Sequence, residues 1–309
     1  MNFVRFVVPK LLAAIVTLLL AVTIAFFLSR LSGDPVRNIL GTFASDEQVA
    51  AKRAALGLDD PLLRQYVDYL GSLVRGDFGD SLQYSRSNWE VISSRIWPSV
   101  QLTFVALIIA NVIGLPLGVV AALKENTIWD RIAVTISLIG QSFPLFWIGL
   151  IFILVFSVNL GWFPAGQSGT WKHLVLPAVT LSFFPMARIA RITRSSLTEV
   201  LEEGYITSAR ARGLTESTVI TTHALRNGAL PVITIIGLQA GTLLSAAVTV
   251  EFVFAWPGLG TLAVNAVAFR DFTLVQALVV FGAFTFVVIN LAVDLLYGFT
   301  DPRIREASQ

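Results

Sequence analysis

Ser168 is the first residue of this chain whose surroundings suggest chemistry. It lies in the run Gly-Gln-Ser-Gly at 166–169, and a serine in such a run is a candidate nucleophile for an intramembrane serine protease. That role needs a histidine base within hydrogen-bond reach. The two histidines of the chain are His173, on the same segment, and His223, in a loop that we place across the membrane. The spacing therefore argues against a protease.

Motifs for nucleotide and metal chemistry are missing from the sequence. It contains no G-x-x-x-x-G-K-[ST] run to cradle phosphates and no H-E-x-x-H zinc motif. It also contains no cysteine, which excludes disulfides, zinc–thiolate sites and thiol nucleophiles. We therefore expect no catalytic residue, no metal site and no cofactor bound by this chain.

A few ionisable and amide side chains lie within or beside long apolar runs. An ion-coupled carrier needs ionisable groups at mid-membrane, but Glu251 and Asp294 lie at the ends of their runs. There we expect solvation by water or headgroups rather than a proton relay. A buried amide needs hydrogen-bond partners, which a water-filled pathway or a neighbouring helix can supply. We predict that the pathway residues include the amides Asn111, Gln141 and Gln239, with bonds to neighbouring helices as the alternative.

The composition shows which elements must position these residues. Hydrophobic residues make up 55% of the 309 residues and charged residues 14%, whereas soluble domains carry about 25% charged residues. The net charge of +2 is small and gives no nucleic-acid footprint. Because backbone polar groups cannot be left bare in lipid, we predict an all-α membrane protein.

Uncharged runs define the predicted spans, since a transmembrane helix needs about 20 apolar residues. The run at 132–171 is longer than one span, and its end, GWFPAGQSGTW, predicts an interfacial loop. We predict that the first run is a retained helix rather than a cleaved signal peptide. The six predicted spans fall in residues 11–29, 96–123, 132–171, 173–187, 227–250 and 272–293.

Arginine distribution predicts the orientation. Arginines cluster in residues 186–227, and the positive-inside rule places that segment and both termini in the cytoplasm. The loop at 31–95 is long and mixed in charge, so we place it outside. Arg188, Arg191 and Arg194 recur at near-helical spacing and suit the headgroup region where the fourth helix leaves the membrane.

The outer loop is predicted to be structured. Apolar residues recur at helical spacing over 62–74, and Gly76 can end that helix. Residues 87–95 predict a short amphipathic entry to the second span. The loop is either a docking or gating element or a cover on the helix bundle, and both interpretations remain open.

Glycine and proline predict where helices approach or bend. Small-x-x-x-small pairs at Gly114 and Gly118, and at Gly237 and Gly241, favour close helix packing within the chain or with a partner. Pro116 and Pro144 can kink their helices.

The polar segment at 203–231 predicts two short helices joined at a glycine. Gly213 is placed as a C-terminal helix glycine, and Thr215 can cap the next helix. Two helices joined in this way make a stiff lever. The small residues Ala209, Ala211 and Gly213 would let a partner groove approach closely. The alternative is an ordinary solvated hairpin.

This segment resembles the coupling ("EAA") loop of ABC importer permeases. Ala209, Gly213 and Leu225 follow the general motif, while Thr207, Ser208, His223 and Arg226 depart from it. The branch for dipeptides, oligopeptides and nickel fits better, with the pattern Y-x-x-x-A-x-A-x-G-L…H-x-L-R-N-x-x-x-P. The runs GDP, LGLDDPLLRQY, GDFGDS, FAWPGLGTL, AFRDF and LLYGFTDPRIR also look like recurring segments of that family, so the resemblance spans nearly the whole chain.

The resemblance implies a non-catalytic pore subunit of an ATP-driven importer in a bacterial or archaeal plasma membrane. Its expected partners are a second homologous permease, usually a different chain, two cytoplasmic ATPase subunits that hold ATP and magnesium, and an extracytoplasmic binding protein. Import of di- or oligopeptides by alternating access is the expected function, and nickel or another small solute is the alternative. The residues expected to couple to the ATPase are Glu203, Tyr205, Ala209, Arg210, Arg212, Gly213, Leu214 and Thr215.

An outer gate is predicted at 252–262. The run FAWPGLG combines bulky aromatics, which can close a passage, with Pro and Gly, which let the backbone turn at the membrane surface. Glu251 and Arg270 flank this segment, where they can hold it shut or meet the binding protein. The gate candidates are Glu251, Phe252, Phe254, Trp256 and Pro257.

The resulting organisation has four parts. A transmembrane helix at 1–30 is followed by the extracytoplasmic loop at 31–95 and a cytoplasmic tail closes the chain at 301–309. Between them lies the permease core at 96–300, which includes the coupling loop at 186–227.

Overall fold

The computed structural model describes residues 3–31, 36, 45–55 and 57–300. Its described regular structure is helical, apart from one isolated β-bridge between Asp80 and Ser87. The chain forms two compact units, one comprising residues 1–97 and 261–309 and the other comprising residues 98–260.

The helices follow one another along the chain with short connections. The first half contains α1 (Phe3–Leu31), α2 (Asp46–Ala55), α3 (Leu62–Val74), α4 (Asn88–Leu123), α5 (Ile128–Ser142) and α6 (Leu145–Phe152), which a π-helical turn extends over Ile153–Asn159. The second half contains α7 (Trp171–Leu201), α8 (Gly204–Ala211), α9 (Glu216–Thr218) with the π-helical turn Val219–Ala224, α10 (Leu225–Val253), α11 (Leu259–Ala268) and α12 (Phe272–Thr300).

Among the described residues, five helices are long and apolar enough to cross a membrane, and a sixth span results if the bent pair α5–α6 counts as one. This confirms the predicted all-helical fold, and the predicted number of six spans is reached when the bent pair is counted as one. The third span is not a single kinked helix, because its two halves meet at 106°. The break follows from Pro144: a residue before proline is pushed out of the helical region, and Phe143 is extended with φ −97° and ψ 139°.

The first unit is built around α1 and α12, which pack along each other. The amide of Gln276 on α12 donates to the hydroxyl of Ser29 on α1. The amphipathic helix α3 lies on α1, where the Tyr66 and Thr23 hydroxyls share a hydrogen bond of 2.7 Å. The predicted helix at 62–74 therefore exists, and several of its apolar side chains stay exposed, including Leu63 and Val67.

A buried carboxylate fixes the turn at residues 76–87 within the first unit. Asp271 is 1% exposed and accepts hydrogen bonds from the Ser81 hydroxyl at 2.6 Å and the Gln83 N–H at 3.1 Å. The same carboxylate caps α12 by accepting from the Leu274 N–H at 3.2 Å. One acidic side chain thus joins the start of a long helix to the turn that precedes α4.

The second unit packs α4, α7 and α10 closely. An added Cβ on Gly114 would lie 2.8 Å from the Met186 carbonyl oxygen, and one on Gly118 would lie 2.5 Å from the Ala190 carbonyl oxygen. The first predicted glycine pair therefore permits helix contact within the chain. Helices α7 and α10 also pack together, and the core includes Leu102, Leu181, Leu243 and Phe254.

Residues 88–95 form the first turns of α4, which runs without a break from Asn88 to Leu123 with Pro98 and Pro116 inside it, so they lead directly into the second span. One local prediction was wrong: the second helix of the polar segment is not a separate short helix, since α9 and its π-helical turn lead directly into α10. No loop therefore intervenes between this segment and α10.

Candidate functional site

The coupling hairpin, defined here as residues 203–224, rests on a small apolar core of its own. Ile206 and Ala209 of α8 are buried against Val219 and Ala224 of the second arm. Leu197 of α7 and Ala122 of α4 complete the cluster. The hairpin is thereby fixed to two membrane helices, as a lever requires.

Gly213 and Thr215 form the bend between the two arms. Gly213 has φ +78°, the left-handed conformation that ends helices at glycine. The Thr215 hydroxyl accepts a hydrogen bond from the Thr218 N–H at 3.4 Å and so caps the second arm. Both local predictions agree with the structure, while the proposed contact of these residues with an ATPase remains a prediction.

Most of the other predicted coupling residues face outward. Glu203 immediately precedes α8, and the Tyr205 hydroxyl accepts from the Asn227 amide at 2.8 Å. Arg212 and Leu214 are exposed. Ala209 is the exception, because it is 1% exposed and packs inside the hairpin. The prediction that this small residue lets a partner groove approach closely therefore does not hold for Ala209.

An ion pair braces the bend of the hairpin. Arg210 donates to both carboxylate oxygens of Glu216, at 3.2 and 2.7 Å. The hydrogen bond with this carboxylate raises the pKa of Arg210 above its usual value. Because the pair is exposed to solvent, it contributes little to stability and mainly fixes the relative position of the two arms.

A partly buried ion pair joins the first turn of α5 to α7. Asp130 is 6% exposed and accepts from Arg194 Nε at 2.6 Å and Nη2 at 2.9 Å. Glu125 lies 3.6 Å from the same guanidinium. Asp130 carries no local signal in the sequence, because its partner on α7 is 64 residues away.

Glu251 is buried rather than solvated, which corrects the sequence-based expectation. It is 1% exposed and accepts from the Ser99 hydroxyl and the Gly260 N–H, both at 2.6 Å. The Ser99 oxygen in turn accepts from the Leu259 N–H at 2.8 Å. These donors replace water, and any side chain on Gly258 would collide with the carboxylate. Glu251 therefore holds the segment 254–260 in place.

The aromatic gate candidates divide into core and surface residues. Phe254 and Trp256 are 1% and 4% exposed, and the Trp256 indole donates to the Pro98 carbonyl at 3.0 Å. Phe252 is 53% exposed, and Pro257 is partly exposed. In this conformation only Phe252 among the three aromatics presents its ring to the surroundings, and the gating role of the segment remains a prediction.

The three predicted pathway amides have different environments. Asn111 and Gln141 donate to carbonyls of their own helices, at Leu107 and Ser137. Gln141 also lines a cavity of about 160 Å³ between α4, α5 and α7. Gln239 is 1% exposed, and its side-chain oxygen lies 3.5 Å from Arg188 Nη1.

Arg188 lies farther from the coupling hairpin along α7 than Arg194 does. It is six residues before Arg194 on α7, which corresponds to about 9 Å along the helix. Its partner Gln239 is the middle residue of α10. The headgroup position of these arginines remains a prediction: Arg194 pairs with Glu125 in the turn between α4 and α5 and with Asp130 in the first turn of α5, whereas Arg188 lies against Gln239 of α10.

The structure does not support the protease hypothesis, because His173 is engaged in a helix cap. His173 Nδ1 contacts the Thr170 N–H at 3.2 Å and forms part of the capping box of α7. The preceding Gly166 packs against the backbone of Phe254, leaving no room for a side chain. Gly166 is thus a close-packed residue, while Ser168 lies in the exposed remainder of the connection that precedes α7.

Family comparisons cover nearly the entire chain. Residues 114–306 match the binding-protein-dependent transport system inner membrane component family, and residues 3–103 match the N-terminal family of the same transport systems. The chain is 41% identical over 302 residues to the glutathione transport system permease protein GsiC of Escherichia coli, covering 97% of this chain and 99% of the relative. The corresponding protein of Salmonella typhi is 42% identical with the same coverage.

Solved structures support the same fold at lower identity. The inward-facing MetNI methionine ABC transporter matches with a TM-score of 0.57 and 22% identity, covering 67% of this chain and 94% of that chain. The chain therefore belongs to the family of inner-membrane permeases of binding-protein-dependent ABC importers, within the peptide and glutathione branch, and is a non-catalytic multi-pass subunit.

Proposed function

We propose that this chain forms one half of the translocation pathway of an importer for short peptides, with glutathione, a tripeptide, among its substrates. Whole-length similarity to glutathione permeases is the observation that carries this proposal. Peptides of different side chains share a backbone, an amino group and a carboxylate, so a pathway with few fixed polar groups suits them. The other half of the pathway is a second homologous permease.

In the proposed mechanism, two ATPase subunits drive alternating access. The exposed residues of the coupling hairpin dock in a groove on one ATPase, while a binding protein delivers the substrate from the other side. The direct continuation of the hairpin into α10 and its buried attachment to α4 and α7 support this role. Closure of the ATPases would then tilt the membrane helices together. ATP and magnesium stay on the ATPase chains.

Uptake by the reconstituted complex tests the substrate. Proteoliposomes containing this chain, the partner permease and both ATPases, with the binding protein added, are supplied with labelled glutathione, a labelled dipeptide or nickel ions. We expect ATP-dependent accumulation of glutathione or the dipeptide and no accumulation of nickel. Liposomes with an ATPase that cannot hydrolyse ATP provide the control. Nickel uptake without peptide uptake would contradict the proposal.

A further inference from the structure

Arg188 places a guanidinium within the apolar part of the second unit. The residue is 17 positions from the exposed Trp171 at one end of α7 and 13 from Leu201 at the other. At about 1.5 Å per residue, both ends lie some 20 Å or more away along the helix. A charge at this depth is costly unless it has a partner or water, and such residues commonly mark transport pathways.

The chain supplies this guanidinium with only a weak neutral acceptor. Arg188 Nη1 lies 3.5 Å from Gln239 Oε1, at the limit for a hydrogen bond. Among the described residues, no carboxylate oxygen comes within 4.0 Å of the Arg188 guanidinium, whereas Arg194 on the same helix pairs with both Asp130 and Glu125. The positive charge of Arg188 is therefore not neutralised by the described part of this chain.

Gln239 adds a second donor at the same place. Its side chain is 1% exposed, and its Nε2 atom is buried without a hydrogen-bond acceptor in the described structure. Its oxygen is already shared between Arg188 and the Thr242 hydroxyl, which lies 3.4 Å away. The amide and the guanidinium therefore share a need for an acceptor that the described structure does not supply. An unsatisfied buried donor destabilises a structure, so a bound acceptor at this place would be favourable.

The missing acceptor is best supplied by an anion with paired oxygens. A guanidinium binds a carboxylate through two parallel hydrogen bonds, and the Gln239 amide can donate to the same oxygens. Every unmodified peptide carries a carboxylate, whatever its side chains. We propose that Arg188 and Gln239 form a carboxylate-binding site within the membrane that takes a carboxylate of the transported substrate; this rests on the peptide substrate proposed above.

Arg191 provides a matched control for Arg188. It lies on the same helix about one turn away, is exposed, and lines the cavity between α4, α5 and α7. The variants are Arg188→Gln, which removes the charge, Arg188→Lys, which keeps it, and Arg191→Gln. Assembly of each variant is checked by co-purification with the partner permease and the ATPases. Uptake is measured for a peptide and its C-terminal amide, each at a concentration that saturates the binding protein.

The charge of Arg188 should matter only for the free acid. We expect Arg188→Gln to lower uptake of the free acid about tenfold or more, as for loss of one partner of a desolvated charge pair. Arg188→Lys should restore most of that uptake, and Arg191→Gln should remain close to the parent. Uptake of the C-terminal amide should be the same in Arg188→Gln as in the parent complex. An equal loss for acid and amide, or an equal loss in Arg191→Gln, would overturn the site.

Crosslinking gives a readout that does not depend on the transport rate or on how well the binding protein binds the peptide amide. A peptide with a free carboxylate and a photoreactive C-terminal residue is trapped in the complex with ATP and vanadate and then photolysed. We expect the label on α7 and α10 near Arg188 and Gln239, and its loss in Arg188→Gln. Labelling at other positions would overturn the proposal. It would also be overturned if neutralising a carboxylate of the partner permease restored uptake by Arg188→Gln, because that carboxylate, and not the substrate, would then be the partner of Arg188. If the parent complex imports neither peptide nor glutathione, the proposed function itself fails, and that is seen before any variant is tested.

Discussion

At the residue scale, buried carboxylates organise backbone in both units. Asp271 gathers donors from the turn at 76–87 and from the first turn of α12. Glu251 gathers the Ser99 hydroxyl and the Gly260 N–H. A buried carboxylate is tolerated when hydrogen bonds replace its hydration. Each of these acids therefore fixes a stretch of chain that has no regular hydrogen-bond ladder.

Replacing Glu251 should destabilise the segment 254–260. Glu251→Ala leaves the Ser99 hydroxyl and the Gly260 N–H without this acceptor, and each unsatisfied buried donor costs about 1–3 kcal/mol. Glu251→Gln should have an intermediate effect, because its oxygen can still accept from one donor while its NH₂ group faces the other. The measurement is the apparent melting temperature of the purified permease in detergent.

Exposed Glu90 supplies the comparison for Glu251. It makes only a long ion pair of 3.5 Å with Arg86, and both side chains are exposed. Glu90→Gln should therefore melt like the parent protein. A Glu251→Ala variant that melts at the parent temperature would show that the carboxylate does not anchor the segment.

At the element scale, the coupling hairpin depends on one backbone position. Gly213 has φ +78°, and nothing lies within 4 Å of the place where a Cβ would be. A substitution there is therefore strained by its backbone alone and not by collision. Left-handed backbone costs an ordinary residue about 1–2 kcal/mol, and a β-branched residue costs more.

Gly213→Val should misdirect the hairpin without preventing membrane insertion. We expect stimulation of ATP hydrolysis by the loaded binding protein to fall about fivefold or more, the factor that corresponds to 1–2 kcal/mol. Gly213→Asn should be milder, since asparagine tolerates this conformation. Gly204→Ala is the matched control, because Gly204 also has open space around it but no positive φ. Full stimulation in Gly213→Val would exclude the bend from coupling.

Local chemistry explains which elements could be predicted from the sequence. Gly213, Thr215 and the helix at 62–74 carry their own signals in adjacent residues, and the structure agrees with each of them. Pro98 and Pro116 stay inside α4, whereas Pro144 follows an extended Phe143 and separates α5 from α6. Proline is tolerated in membrane helices, so the residue type alone does not distinguish a continuous helix from a break.

Contacts between residues that are distant in the chain could not be predicted from the sequence. Ser99 and Glu251 are 152 positions apart, and Arg188 and Gln239 are 51 apart. Only the fold brings such pairs together. The expectation of a solvated Glu251 failed for this reason. Periodicity and composition predict where helices run, while the partner of a polar side chain depends on which helices pack.

At the scale of the whole molecule, orientation across the membrane is a prediction from charge. Arginines concentrate in the connection around the coupling hairpin, while the loop at 31–95 is long and mixed in charge. Positively charged short loops stay in the cytoplasm, and long loops cross largely regardless of charge. The hairpin should therefore face the cytoplasm, where the ATPase subunits lie, and the turn at 76–87 should face outward.

Single cysteines can test this orientation cleanly, since the chain has none of its own. Ser81 would be a poor probe because it is 3% exposed and donates to Asp271, whereas Gln83 and Ser217 are exposed. In intact spheroplasts, a membrane-impermeant maleimide should label Gln83→Cys at once. Ser217→Cys should react only after permeabilisation, and a permeant maleimide should label both. Labelling of Ser217→Cys alone in intact spheroplasts would mean that the hairpin faces outward and cannot meet a cytoplasmic ATPase.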